Sequence, residues 1–292
     1  MTGKILKGIA GFYYVHAGDG NLYECRAKGI FRSRNIKPLV GDDVEFGILD
    51  EEELKGNIDE ILPRKNELIR PAVANVDQTL LIFAAASPEP NLNLLDRFLV
   101  MMEVSKVPVS ICFNKADLVE DEKLREFGRI YETAGYPVYF ISTYEKKGIE
   151  GIRKLAEGKT TVLAGPSGVG KSSLTNLLCP EADMETASVS RKIQRGKHTT
   201  RHSELFSLGK STYMMDTPGF SSMYLADVEC GGLKEYFPEF SVYEEGCKFL
   251  GCVHVGETVC GVKAALKEGK ISRSRYENYR LLYQELKEKR RY

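Results

Sequence analysis

The chain has 292 residues, 42% hydrophobic and 28% charged, the balance of a folded protein that is too long for one ordinary core. Its 41 Lys and Arg equal its 41 Asp and Glu, which excludes a globally basic nucleic-acid binder while leaving local basic faces open. The longest purely apolar run, Leu80–Ala86, is far below the ~20 residues that span a bilayer.

The opening MTGKILKGIAGF lacks the apolar stretch and small-residue cleavage site of a secretion signal, and with no apolar run near bilayer length no membrane partner is expected. Residues 1–65 read as short strands, Ile5–His16, Leu22–Lys28, Asp43–Leu49 and Asn57–Leu62, with turns at Gly18–Gly20 and Gly41. Such strands without a helical period predict a small barrel of OB type. Within it, Phe31–Lys37 sets Arg32, Arg34 and Lys37 beside an aromatic.

From residue 66 the pattern becomes alternating α/β. Thr79–Ala86, Pro108–Phe113, Val138–Ile141 and Thr160–Ala164 are apolar strands, and Leu94–Val104 and Glu122–Ala134 are amphipathic helices. That alternation predicts a parallel sheet with helices on both faces, over residues 66–222. A Cys- and Gly-rich stretch follows, closed by a helix from Ser272 to Arg290, which defines a third part, 223–292.

The sharpest motif is Gly165, Pro166, Ser167, Gly168, Val169, Gly170, Lys171 and Ser172, a G-x-x-x-x-G-K-[ST] loop after the strand TTVLA and before the helix SSLTNLL. Its amides and the helix N-terminus suit phosphates. Lys171 is placed to reach the β- and γ-phosphates, and Ser172 to ligate Mg²⁺. Alone, this loop does not separate ATP from GTP.

Asn114, Lys115, Ala116 and Asp117 follow directly on the strand PVSICF. A carboxylate there accepts from both N1–H and the N2 amine of guanine, a donor pair that adenine lacks. Asn114 can reach O6/N7 and brace the phosphate loop, while the Lys115 stem lies over the base. Asp216-Thr-Pro-Gly219 follows the strand STYMM; Asp216 can hold Mg²⁺ through water, and the Gly219 amide can meet the γ-phosphate.

GTPases of the translation-factor type run phosphate loop, switch Thr, DxxG, NKxD and then a Ser-bearing base loop. Here NKAD comes first, followed by Ser142-Thr143, the phosphate loop, Thr199/Thr200 and DTPG. The set is complete and cyclically shifted, as circular permutation would leave it, with strand neighbours unchanged.

Residues 188–204 resemble a first switch, and either Thr199 or Thr200 completes the Mg²⁺ and γ-phosphate contacts. Five basic residues, Arg191, Lys192, Arg195, Lys197 and Arg201, lie there with no acid between 191 and 203. Phe220 follows DTPG where many GTPases place a water-orienting Gln, which leaves His198 as the nearest candidate partner for water, or else a contact for RNA. Phe220 also keeps open a rival reading, an RNA-binding scaffold that binds nucleotide without turning it over.

Cys247, Cys252, His254 and Cys260, spaced C-x4-C-x-H-x5-C, offer three thiolates and an imidazole, a closed tetrahedral Zn²⁺ set. Residues 263–292 hold ten Lys/Arg and four Glu. Tyr276, Tyr279, Leu282, Tyr283 and Leu286 recur at helical spacing, which predicts an inward apolar stripe and an outward basic face.

The shifted order, the switch Gly196-Lys197-His198-Thr199-Thr200, the small barrel and the Cys/Cys/His/Cys set together resemble the ribosome small subunit-dependent GTPase A family, also called RsgA, YjeQ or YloQ. The likeness covers essentially the whole chain. It implies a cytoplasmic bacterial GTPase acting late in maturation of the 30S subunit and stimulated by it. It implies an OB-fold RNA-binding domain (1–65), a circularly permuted GTPase domain (66–222) and a zinc-binding helical domain (223–292), the outer two contacting 16S rRNA. By that likeness Asn114–Asp117 and Gly165–Ser173 bind GTP, and the three cysteines with His254 hold Zn²⁺. Ser142-Thr143 stands where Ser-Ala is commoner, so its contact would run through backbone. Nothing in the chain speaks for oligomers, and a monomer is expected.

Overall fold

In chain order the strands are β1 (Thr2–Ile9), β2 (Phe12–Ala17), β3 (Leu22–Ala27), β4 (Asp43–Asp50), β5 (Lys55–Ile61), β6 (Glu67–Ile69), β7 (Ala72–Ala74), β8 (Gln78–Ala84), β9 (Val109–Asn114), β10 (Val138–Phe140), β11 (Thr160–Ala164), β12 (Leu205–Ser207) and β13 (Tyr213–Asp216). The helices are α1 (Leu92–Ser105), α2 (Asp121–Glu132), α3 (Ile149–Ala156), α4 (Lys171–Leu178), α5 (Pro238–Ser241), α6 (Gly261–Lys267) and α7 (Arg273–Lys289). The structure, a computed structural model, describes residues 1–29, 31, 36–69, 71–180, 204–209, 211–216 and 228–289. Arg32, Arg34 and the switch cations Arg191, Lys192, Arg195, Lys197 and Arg201 lie outside the described residues, as does Phe220.

The chain divides into two compact units, one of Met1–Thr79, Glu150–Ala164 and Lys171–Pro218, the other of Leu80–Ile149, Gly165–Gly170 and Gly219–Tyr292. In the first, β1 to β5 close a five-stranded barrel in the order β1-β2-β3-β5-β4, the strand order that the OB expectation requires. Alternate residues point inward, so Val15, Tyr23, Cys25, Val44, Phe46 and Ile58 fill its interior. The single strand expected over Ile5–His16 is two. Ala10 and Gly11 take positive φ of 50° and 88°, and Ile9 pairs with Phe12 across this tight turn.

A further hairpin, β6 with β7, follows the barrel and was not legible as strands. The same unit contains β11 parallel to β13, with β12 antiparallel to β13. The barrel is tied to these strands by Lys7–Glu204 at 3.0 Å and by His16 Nδ1 at 2.9 Å from the Tyr213 hydroxyl.

In the second unit β8, β9 and β10 run side by side, with β10 parallel to β9. Every residue of β8 is buried, as a strand covered on both faces demands. Asn91 caps α1 by accepting from the Leu94 amide at 3.0 Å, and Leu95, Phe98, Leu99 and Met102 form its buried face. Phe113 on β9 stacks on Phe127 of α2, ring centroids 4.7 Å apart.

The C-terminal core gathers Phe237, Phe240, Val262, Tyr276, Tyr279, Leu282 and Leu286 with Val100 of α1. The tyrosine-leucine stripe therefore faces inward as expected. The basic face needs one correction: Arg275 is buried at 1% exposure, because Asp96 and Glu239 ligate it from neighbouring helices. Among the described residues no helix is long and apolar enough to cross a membrane.

Candidate functional site

Asn114 ends β9 fully buried, and its amide is saturated by protein. Nδ2 donates to the Val169 carbonyl at 2.8 Å and to Thr143 Oγ1 at 3.2 Å. Oδ1 accepts from the amides of Lys115 at 2.8 Å and Thr143 at 3.0 Å. The expected brace on the phosphate loop is present, whereas the expected reach to O6/N7 has no donor left to make it.

Lys115 takes a left-handed φ of 61°, which turns its side chain back over the loop. Its ammonium donates to the Gly168 carbonyl at 2.9 Å and to the Ser87 carbonyl. Asp117 follows in a single turn of 3₁₀ helix, exposed to solvent. Ser142 is buried, and its hydroxyl accepts from the Glu145 amide at 2.9 Å. Thr143 is the residue of this loop that sequence reasoning underrated, since it meets both ends of the Asn114 amide.

Gly170 sits at φ +95°, and a Cβ there would stand 2.2 Å from Asn114 Nδ2. A Gly170→Ala chain must therefore break the brace or reshape the loop, on top of a left-handed strain of about 1–3 kcal/mol. Guanine-nucleotide affinity should fall about tenfold or more in a titration with a fluorescent GDP analogue. Unchanged affinity would show that the brace is dispensable.

In the other unit, Lys171 opens α4 and Asp216 closes β13. Ser172 Oγ donates to Asp216 Oδ2 at 3.0 Å. Asp216 Oδ1 is buried and has no partner among the described residues. Burial raises the Asp216 carboxyl above its usual range, against the pull of Ser172 and Lys171. Burial likewise lowers the Lys171 ammonium, which Asp216 opposes. A buried carboxylate oxygen without a partner, beside a serine hydroxyl, is a donor set that fits a hard divalent cation. His198, Thr199, Thr200 and Gly219 lie outside the described residues.

The C-terminal cluster is assembled as its spacing promised. One ligand atom from each of Cys247, Cys252, His254 and Cys260 lies within 4.8 Å of the other three. His254 Nδ1 stands 3.4 Å from Cys260 Sγ and 3.7 Å from Cys247 Sγ, and the two sulfurs are 3.9 Å apart. Tetrahedral bonds of ~2.3 Å to sulfur and ~2.0 Å to nitrogen give edges of roughly these lengths.

His254 Nε2 meets Glu244 Oε1 at 3.1 Å, which assigns the ring proton to Nε2 and leaves Nδ1 as the ligand atom. Lys234 anchors the same carboxylate at 2.9 Å. Glu244, an outer-shell partner outside the C-x4-C-x-H-x5-C spacing, was not signalled by the sequence. Burial lowers the His254 imidazole and pushes the Cys252 thiol up to about 12 in the metal-free protein. Tyr276 and Tyr279 donate to the carbonyls of His254 at 2.6 Å and Val253 at 2.7 Å, so the knuckle rests on α7.

A barrel, a permuted phosphate loop with an NKxD strand end, and a Cys₃His module together define a circularly permuted GTPase with flanking domains. Family models described as RsgA N-terminal domain and RsgA GTPase match residues 2–58 and 61–226. The chain belongs to the RsgA GTPase family.

A relative from Agathobacter rectalis named small ribosomal subunit biogenesis GTPase RsgA is 58% identical over 302 residues, covering 100% of both chains. One of the same name from Alkaliphilus metalliredigens is 50% identical over 290 residues, covering 99% of each. The crystal structure of YloQ, a circularly permuted GTPase, is 38% identical with a TM-score of 0.82, covering 99% of this chain and 95% of that one. YjeQ from Thermotoga maritima is 34% identical with a TM-score of 0.82, covering 98% of each.

Proposed function

We propose that this protein hydrolyses GTP to GDP and phosphate and uses that reaction in late maturation of the small (30S) ribosomal subunit, which stimulates it. The observation carrying the reading is Asn114, whose one amide holds both the base loop at Thr143 and the phosphate loop at Val169. Asp117 accepts from guanine N1–H and N2, with the Lys115 stem against the base. Gly165, Pro166, Ser167, Gly168, Val169 and Gly170 wrap the phosphates with Lys171, Ser172 and Ser173.

Ser172 and Asp216 hold Mg²⁺, which neutralises charge on the phosphate oxygens when bound. Water attacks the γ-phosphorus as the bond to the β-phosphate oxygen breaks. Lys171 and the loop amides stabilise the charge that shifts onto that oxygen. Either Thr199 or Thr200 with the Gly219 amide senses the γ-phosphate, and His198 orients the water.

Cys247, Cys252, His254 and Cys260 bind Zn²⁺. The parts 1–65, 66–222 and 223–292 act as rRNA-binding barrel, GTPase and zinc domain, in a cytoplasmic monomer whose outer parts contact 16S rRNA.

Phosphate release from GTP, measured under multiple turnover with and without purified 30S and 50S subunits, tests the reading. Stimulation by 30S alone, lost as salt rises, is the expected result. Tight GTP binding with no turnover under either condition would leave the scaffold reading instead.

A further inference from the structure

The mouth of the barrel contains a cavity of about 430 Å³, within the ~300–1,000 Å³ range of small-ligand pockets. It opens where the β1–β2 turn meets the connection from β3 to β4. Tyr13, Phe31, Ile36 and Pro38 give it an apolar and aromatic lining, and among the described residues Lys28 and Lys37 are its charged side chains. Gly11 and Gly29 also line it, and a Cβ on either would meet nothing within 4 Å, so backbone is open to an incoming group on two sides.

The chemistry is selective. Aromatic and aliphatic walls suit a flat heterocycle, because base–aromatic stacking is worth about 1–3 kcal/mol per base. A lysine at the rim suits a phosphate. Lys28 is paired with Asp59 at 2.7 Å, whereas Lys37 has no ion pair among the described residues. Ile36 is 42% exposed, an apolar side chain left at the rim of a cationic cavity. A protein side chain would use the walls but not the lysine; an inorganic anion would use the lysine but not the walls.

We propose that this cavity takes one unpaired nucleotide of an RNA strand, its base against Tyr13 and Ile36 and its phosphate at Lys37. The proposal rests on the rRNA-contacting role given to the barrel above and narrows it to a single-nucleotide subsite. It makes the barrel a reader of an extruded base rather than of a duplex backbone alone.

The test uses the full chain with its guanine pocket saturated by GDP. Uridine 5′-monophosphate and hexauridylate are titrated while the Ile36 methyl resonances are followed, alongside 30S affinity for wild type, Lys37→Glu and Ile36→Asn. Saturable Ile36 shifts with both probes, weakened about tenfold in Lys37→Glu together with a comparable loss of 30S affinity, are expected. No saturable shift with either probe would overturn the proposal. So would the same shift with inorganic phosphate alone, or wild-type 30S affinity in both variants. Absence of 30S binding by the wild-type chain would instead sink the proposed function, and the Ile36 titration is read independently of it.

Discussion

Chelation of the zinc proposed for the C-terminal module is expected to unfold that module. The segment from Cys247 to Cys260 carries no strand or α-helix, so its shape depends on its four ligands and on two tyrosine hydroxyls. Structural zinc in small fingers is worth about 10–16 kcal/mol of apparent binding energy, far more than the hydrogen bonds from Tyr276 and Tyr279 at about 1 kcal/mol each. Without metal the knuckle would leave buried thiols and an imidazole facing one another, and the support it gives α7 would go.

Amide hydrogen exchange over 247–289, before and after chelation, should show protection lost there while the barrel keeps its own. Retained protection would mean that the apolar core around Phe240 and Tyr279 suffices. The same cluster dictates a pH dependence. Cys252, pushed up to about 12, and Cys260, also raised, are protonated thiols at neutral pH in the metal-free chain. Metal must displace those protons, so affinity drops as pH falls, by about tenfold per unit for each proton released. Burial lowers the His254 imidazole, which favours the neutral ring whose Nδ1 lone pair can ligate metal.

What the chain made legible was whatever a short stretch encodes by itself. The phosphate loop, NKAD and the C-x4-C-x-H-x5-C set combine residue type with fixed spacing, and the apolar strands around them announce themselves as runs. The barrel was visible as strands, but its first hairpin was read as one run. Ala10-Gly11 interrupts an otherwise continuous row of strand-forming residues, and only the positive φ angles expose the turn. Short β12 pairs at an edge, where few residues suffice and no pattern builds up.

Long-range partners were the least legible. Thr143 owes its importance to Asn114, 29 residues earlier, and Glu244 to a histidine ring that no spacing rule connects with it. Arg275 was one of ten cations in a basic tail, and composition cannot say which of them a fold turns inward. Its partner Asp96 lies 179 residues away.

That inward arginine leads to a second large effect: Arg275→Met should cost about 3–5 kcal/mol of stability. The guanidinium donates from Nη1 to Asp96 at 2.7 Å, and from Nε and Nη2 to Glu239 at 2.8 and 2.9 Å, with the Phe237 ring 4.5 Å away. It therefore pins α7 to α1 and α5 at once. Methionine fills the volume but leaves two carboxylates buried without their cation, although the Asn278 amide still donates to Asp96 at 2.6 Å. Lysine keeps the charge without the planar fork, so Arg275→Lys should also be destabilised, by less.

Burial already raises the Asp96 carboxyl against the opposing pull of Arg275. Removing the guanidinium takes away that pull and raises it further. A carboxyl with a folded pKa above its unfolded value weakens the fold at high pH and is relieved as it takes up its proton. The deficit of Arg275→Met relative to wild type, measured by urea unfolding from pH 8 to pH 5, should therefore shrink as the solution is acidified. A deficit that stays constant over that range would mean that the loss comes from packing alone and that no unpaired carboxylate remains in the variant's core.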